Sequence, residues 1–169
     1  SLDPVVFREM AGRDVSPDVV LDAIDAAEQA SLSPIKINAV IKRGVNDHTF
    51  VDLARHFHGT GHIVRFIEYM DVGNRNDWQL DHVVPAEEIV SRINEVLPLE
   101  PAKANYPSEV ARRYRYVDGG GEIGVIASVT QPFCGDCTRL RLSTDGQLFT
   151  CLFASSGTDL RPTLRGGAT

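Results

Sequence analysis

Strand-like and helix-like segments alternate through residues 1–100 of the chain. The runs at residues 34–41 and 62–69 are rich in β-branched side chains and predict buried strands. Apolar residues at helical spacing predict helices at residues 16–30, 47–57 and 85–96, with Asp47 as the N-cap of the second. This alternation indicates βαβ units, a parallel sheet and therefore an α/β fold. Two or three units are too few to close a barrel, so we expect an incomplete (β/α) barrel with an open edge and a missing partner segment.

The pattern changes after Pro101. Residues 119–121 are three glycines that predict a turn, and residues 123–129 predict a strand. Short strands at residues 138–142 and 147–151 flank Thr144-Asp145-Gly146, a strong hairpin signal. We therefore divide the chain into a partial barrel, residues 1–100, and a small antiparallel β region, residues 101–169.

Composition excludes several classes of protein. Hydrophobic residues make up 43% of the chain and charged residues 24%, which argues against disorder. The net charge of −6 disfavours nucleic-acid binding. No apolar run approaches the roughly 20 residues of a membrane span. The start at Ser1 resembles no signal peptide and lacks Met, so we expect a cytoplasmic fragment, natural or engineered, with no membrane association.

The three cysteines form the strongest chemical signal. Cys134 and Cys137 are separated by two residues, and the predicted hairpin brings Cys151 back toward them. Two thiolates at this spacing can grip one metal centre. A structural zinc site would need a fourth ligand, and the five histidines all precede the hairpin region. A [4Fe–4S] cluster held by three thiolates would leave one iron open to a ligand. Zinc, an iron–sulfur cluster and, less favoured, a disulfide with a spare thiol all remain open on spacing alone.

Three basic side chains are candidate site residues, and two of them suggest an anionic ligand. Arg139 and Arg141 would share one face of a strand just beyond the thiolates, where two guanidinium groups can bind a carboxylate or phosphate. Exposed arginines without a ligand are the commoner alternative. Lys36 interrupts an apolar strand, so it faces either a cavity or solvent, the latter as an edge-strand lysine that opposes aggregation.

Arg65 and Met70 lie in and just after the second strand, where α/β sheets place their sites. A methionine is more often part of a core, and the loop at residues 71–80 could be a simple connection. The sequence contains neither standard glycine-rich nucleotide-binding loop, and no Ser-His-Asp or Cys-His arrangement is supported.

Taken together, these residues resemble the MoaA-type GTP 3′,8-cyclases, radical S-adenosylmethionine enzymes of molybdenum cofactor (molybdopterin) biosynthesis. The resemblance runs nearly end to end, and its most specific blocks are residues 133–146 and 151–153, which contain the three cysteines. The matching segments are residues 35–40, 44–47, 65–74, 133–146 and 151–153.

The resemblance implies a role for each cysteine. Cys134, Cys137 and Cys151 would ligate a C-terminal [4Fe–4S] cluster whose open iron binds the guanine of GTP, which favours iron–sulfur over zinc. In the family, a second, N-terminal cluster cleaves S-adenosylmethionine to a radical that starts the cyclisation of GTP.

The remaining roles are also implied by the resemblance. Leu140 and its two flanking arginines would line the GTP site, Lys36 would reach the phosphates, and Arg65 would be a further contact. Met70 would contact S-adenosylmethionine. The fold implied is the C-terminal part of a radical-SAM barrel followed by the cluster-bearing β unit.

The departures from the family pattern limit the activity that we expect of this chain. The N-terminal Cys-x-x-x-Cys-x-x-Cys motif and the C-terminal Gly-Gly tail do not occur in these 169 residues. We therefore expect no cyclase activity from the chain alone, and the second cluster only in the full-length protein. Expected partners are GTP, S-adenosylmethionine, a second copy of the chain, and the downstream cyclic pyranopterin monophosphate synthase. The alternative is a non-catalytic zinc or iron–sulfur module that binds an anion or a partner.

Overall fold

The computed structural model describes residues 1–72 and 77–167. They form two compact units, residues 1–132 and 133–169, here called the first and second unit. The first contains four helices and five strands among its described residues: α1 (Pro4–Ala11), α2 (Asp18–Gln29), β1 (Lys36–Ile41), α3 (Phe50–Phe57), β2 (Ile63–Glu68), α4 (Ala86–Asn94), β3 (Leu99–Ala102), β4 (Arg112–Tyr116) and β5 (Glu122–Ile126). The second contains β6 (Arg141–Leu142), β7 (Gln147–Phe149), β8 (Thr158–Asp159) and α5 (Arg161–Arg165).

The first unit is built on a mixed sheet with strand order β1-β2-β5-β4-β3. β1 pairs with β2 and β2 with β5 in parallel, whereas β5, β4 and β3 pair antiparallel. The predicted α/β class and parallel pairing are confirmed. The change of pattern that the sequence places at residue 101 is a change of strand direction within this sheet, because β3, β4 and β5 extend it.

Only one face of the sheet carries the hydrophobic core. Phe66 of β2 meets Phe50 of α3 edge to face with ring centroids 5.9 Å apart, and Ile89 and Ile93 of α4 are fully buried beside them. Alternate residues of β1 face the other way and are exposed. We call this second surface the open face and define it by the outward side chains Lys36, Asn38, Val40 and Arg65.

One predicted cap is wrong. The helix predicted from Asp47 begins at Phe50, with Thr49 at its N-cap. The Asp47 carboxylate instead accepts a hydrogen bond from the backbone N–H of Gly44 at 2.9 Å, because a short acidic side chain competes well for local backbone donors in turns.

The second unit is a small antiparallel sheet with strand order β6-β7-β8. The predicted hairpin is confirmed, and Gly146 in its turn has a φ of 81°, which suits a residue without a side chain. The strands are shorter than predicted, since β6 begins only at Arg141 and β7 ends at Phe149. No helix in the described part of the chain has the length and apolar character needed to cross a membrane.

The last residue of β2, Glu68, is a fully buried carboxylate. It accepts hydrogen bonds from the backbone N–H groups of Ala86, Val129 and Thr130 at 2.7–2.8 Å, and from the Thr130 hydroxyl at 2.5 Å. Ala86 is the first residue of α4, and Val129 and Thr130 follow β5. A buried carboxylate is costly unless its oxygens are satisfied, and these four donors satisfy both of them.

We expect Glu68→Ala to lower the free energy of unfolding by about 3 kcal/mol or more, because each buried donor left without an acceptor costs about 1–3 kcal/mol. Urea unfolding followed by circular dichroism measures the change. Glu28→Ala, on the exposed surface of α2, is the control and should shift stability by less than about 0.5 kcal/mol. Equal losses in the two variants would contradict the structural role of Glu68.

Candidate functional site

The open face places two of the sequence-predicted basic residues on one surface. Lys36 is the first residue of β1 and is exposed. Arg65 lies on the adjacent strand, in register with Asn38, which is two residues beyond Lys36. Residues two apart on a strand share a face, so Lys36, Asn38 and Arg65 point to the same side of the sheet. β1 is an edge strand among the described strands. The alternative interpretation of Lys36, an edge-strand lysine that opposes aggregation, is therefore also compatible with the structure.

Met70 lies at the other end of the strands, two residues after β2 ends, and is half-buried. The chain beside it is held in place by Trp78, whose indole N–H donates to the Tyr69 carbonyl at 3.0 Å. The ammonium of Lys42 lies 4.9 Å from the centre of the Tyr69 ring. The middle of the predicted loop, residues 73–76, lies outside the described residues.

The second unit presents Cys134, Cys137 and Cys151 as free, exposed thiols. The alternative of a disulfide therefore gains no support from the structure. Within residues 1–72 and 77–167 no three or more His, Cys, Asp or Glu side chains are arranged to hold a metal ion. The donor set nevertheless fits an iron–sulfur cluster in its chemistry, because thiolates are its usual ligands and all three sulfurs are unpaired.

Arg139 is the main electrostatic neighbour of these thiols. Hydrogen bonds from its backbone and side chain lower the pKa of Cys137, and the positive charges of Arg139 and Arg141 contribute less. The guanidinium of Arg139 also lies 4.8 Å from the centre of the Phe133 ring, a cation–π contact that orients it. The thiolate form that a metal or an electrophile requires is thereby favoured at Cys137.

The predicted strand geometry of the arginine pair is wrong in part. Only Arg141 belongs to β6, and Arg139 precedes it in an irregular segment, so strand alternation does not set their common direction. Arg141 is half-buried, and its Nη1 atom is buried with no hydrogen-bond partner among the described residues. Leu140 between them is highly exposed.

Sequence reasoning missed two residues that shape this region. Asn38 accepts a hydrogen bond from Arg65, and Gly124 of β5 lies in register with Arg65 on its other side. The period-two spacing of Lys36 and Asn38 was a usable signal for Asn38. No local sequence pattern distinguishes Gly124. It lies beside Arg65 because β5 pairs with β2, and these strands are distant in sequence.

A family model described as Molybdenum Cofactor Synthesis C matches residues 62–169, which include four of the five strands of the first unit and all of the second. The match defines the class as a molybdenum cofactor synthesis protein. The chain belongs to the Molybdenum Cofactor Synthesis C family, and the predicted resemblance to the MoaA-type enzymes is confirmed.

Several relatives carry the name GTP 3′,8-cyclase. That of Acidothermus cellulolyticus is 57% identical over 165 residues, covering 98% of this chain and 46% of the relative. That of Xanthomonas campestris pv. campestris (strain B100) is 50% identical over 167 residues, covering 99% and 49%. A Synechococcus protein (strain CC9605) is 54% identical over 149 residues, covering 86% and 43%. The chain thus spans about half the length of the curated relatives it matches.

We expect the metal-free Cys137 thiol to react at lower pH than an ordinary cysteine, because its lowered pKa keeps the thiolate populated as pH falls. The pH dependence of iodoacetamide alkylation, followed by mass spectrometry in a Cys134→Ser, Cys151→Ser background, measures it. Arg139→Ala should move the midpoint to higher pH. Arg165→Ala, an exposed arginine of α5, is the control and should leave it unchanged; an unmoved midpoint in Arg139→Ala would contradict the assignment.

Proposed function

We propose that the chain is the GTP-side part of a GTP 3′,8-cyclase, a lyase of molybdenum cofactor biosynthesis. The complete enzyme would convert GTP to (8S)-3′,8-cyclo-7,8-dihydroguanosine 5′-triphosphate with a 5′-deoxyadenosyl radical from S-adenosylmethionine. Family membership and the names of relatives at 50–57% identity support this proposal. The second unit would carry the cluster, and the open face would contribute to the substrate pocket.

The observation that carries the proposal is that the second unit lacks a hydrophobic core among its described residues. None of its described side chains is buried, and its sheet consists of strands of only two or three residues. Units below about 40 residues usually need disulfides, a metal or oligomerisation to be stable. Its three cysteines are free thiols. A cluster bound by these thiols would supply the cross-link that the missing core cannot.

The cysteines and arginines have separate tasks in this proposal. Cys134, Cys137 and Cys151 would hold a [4Fe–4S] cluster, which when bound offers an open iron to the guanine base. Arg139 and Arg141, with Leu140 between them, would bind GTP beside it. Guanidinium groups suit phosphate and base oxygens because they donate two parallel hydrogen bonds.

Residues of the open face would also contact the substrates. Lys36 would bind the phosphates of GTP as a point charge, and Arg65 would be a further contact. Met70 would contact S-adenosylmethionine near the end of β2. Holding both substrates in a fixed geometry is a large part of what a protein contributes to cofactor-driven chemistry.

The fold would be completed by a barrel. β1 pairs only with β2 among the described strands, and a mostly apolar cavity of about 280 Å³ runs beside four successive residues of β1, 37–40. A strand added at this edge would satisfy the free backbone groups of β1. Because the relatives are about twice as long, we propose that the full-length protein adds the rest of a (β/α) radical-SAM barrel and its N-terminal cluster, and that the open face then lines the interior.

The proposal extends to the setting of the enzyme. Reduced cysteines are typical of a cytoplasmic protein. The product would pass to cyclic pyranopterin monophosphate synthase, and self-association into a homodimer is part of the proposal.

Anaerobic reconstitution with iron and sulfide tests the cluster. We expect about four irons per chain and an electron paramagnetic resonance spectrum of the reduced sample that changes when GTP is added. Cys134→Ser, Cys137→Ser and Cys151→Ser should each lower the iron content and abolish the response. With dithionite and S-adenosylmethionine we expect no turnover of GTP by the chain alone.

Thr144→Ala, exposed in the same hairpin, is the matched control and should retain the cluster. One tightly bound zinc, no stable cluster and no response to GTP in folded protein would favour the non-catalytic binding module instead.

A further inference from the structure

Three residues of the first unit lie in one row across the parallel strands. Asn38 of β1 is in register with Arg65 of β2, and Arg65 is in register with Gly124 of β5. Side chains in register on neighbouring parallel strands project to the same face. On the open face, the guanidinium-bearing side chain of Arg65 therefore lies between the amide of Asn38 and Gly124, which has no side chain.

The amide fixes one end of the Arg65 side chain. The Nε–H of Arg65 donates to Oδ1 of Asn38 at 2.8 Å. Because Nε lies at the inner end of the guanidinium, this bond sets the plane of the group and leaves both terminal NH₂ groups available. Among the described residues, Asn38 is the only hydrogen-bond partner recorded for the Arg65 side chain.

Gly124 provides the space that the aliphatic part of Arg65 occupies. A Cβ atom at Gly124 would lie 3.1 Å from Cγ and 3.6 Å from Cδ of Arg65, and 3.2 Å from Cβ of Ala111 on the other side. Its φ lies outside the left-handed region, so an L side chain meets no backbone strain there. The glycine is thus required by close approach and not by backbone conformation.

We infer that Asn38 and Gly124 are positioning residues that hold the Arg65 guanidinium flat across the open face, with its terminal NH₂ groups presented to a phosphate of the bound nucleotide. This inference rests on the proposed function, in which Arg65 contacts GTP. The chemistry it recognises is a polyphosphate, because the free edge of a guanidinium donates two parallel hydrogen bonds to phosphate oxygens.

The benefit of this arrangement is preorganisation. A free arginine side chain must give up rotamer freedom when it binds an anion, which weakens binding. Arg65 has already lost part of that freedom, since one of its N–H groups is bonded and its methylene groups occupy the space beside Gly124 that a side chain would fill. Neither positioning residue needs to touch the ligand for its removal to weaken binding.

The orientation of Arg65 can be measured without any ligand. In the folded chain, the Nε–Hε resonance of Arg65, assigned from its loss in Arg65→Ala, should exchange slowly with water. Asn38→Ala and Gly124→Ala should each speed this exchange by about fivefold, the equivalent of losing one hydrogen bond of about 1 kcal/mol. Asn38→Asp, which keeps an acceptor at the same place, should retain slow exchange. Glu28→Ala, on the exposed surface of α2, is the control and should leave the exchange rate unchanged.

Binding is tested by titration calorimetry with GTP and with inorganic triphosphate. Asn38→Ala and Gly124→Ala should each weaken binding by about fivefold, and both effects should vanish in an Arg65→Ala background, since residues that act through a shared partner are not additive. Effects that persist without Arg65, or exchange rates unaltered by both substitutions, would overturn the inference. If Gly124→Ala does not fold, Asn38→Ala on exposed β1 gives the same test.

The two proposals fail in different ways. If Arg65→Ala leaves the affinity for GTP and triphosphate unchanged while the exchange results hold, the contact between Arg65 and GTP is wrong and the positioning role stands. If Arg65→Ala weakens binding but the Arg65 Nε–Hε exchange rate is unchanged in Asn38→Ala and Gly124→Ala, the contact between Arg65 and GTP stands and the positioning role is wrong.

Discussion

The first unit depends on the buried carboxylate of Glu68. β2 is flanked by β1 and β5, and its last residue bonds both the start of α4 and the segment after β5. Those bonds fix where the backbone leaves the sheet on two sides: toward Met70 along β2, and toward residues 129–130, beyond which the second unit begins. A hydrophobic residue could fill the space but could not bind three backbone N–H groups. A single side chain thus links the start of α4 to the segment after β5.

The two faces of the sheet contribute differently to stability, which explains why polar residues occur on the open face. The buried face, with Phe66 and Ile89, supplies the hydrophobic stabilisation. The open face contributes little to it, so Lys36, Asn38 and Arg65 can be polar without disturbing the core.

Elements set by local patterns could be predicted from the sequence. β1, β2, α3, α4 and the hairpin at Gly146 follow from periodicity and turn chemistry. The bond network of Glu68 could not, because its donors lie 18 to 62 residues away. The turn at residues 119–121 was predicted. The close approach of Gly120 to the ring of His58 was not. In both of these cases the deciding contact joins segments distant in sequence, which composition and spacing do not record. The wrong Asp47 cap differs, because there a local bond to Gly44 competes.

The second unit follows a different physical logic from the first. Its exposed hydrophobic side chains, among them Leu142, Leu152 and Phe153, have no core to enter within their own unit. Backbone pairing over two or three residues per strand repays little of the entropy lost on ordering. Where ligands gather only in the folded state, the free energy of binding a metal centre becomes folding free energy. If a metal centre binds the three thiols, loading of the thiols and ordering of the hairpin would then be a single event.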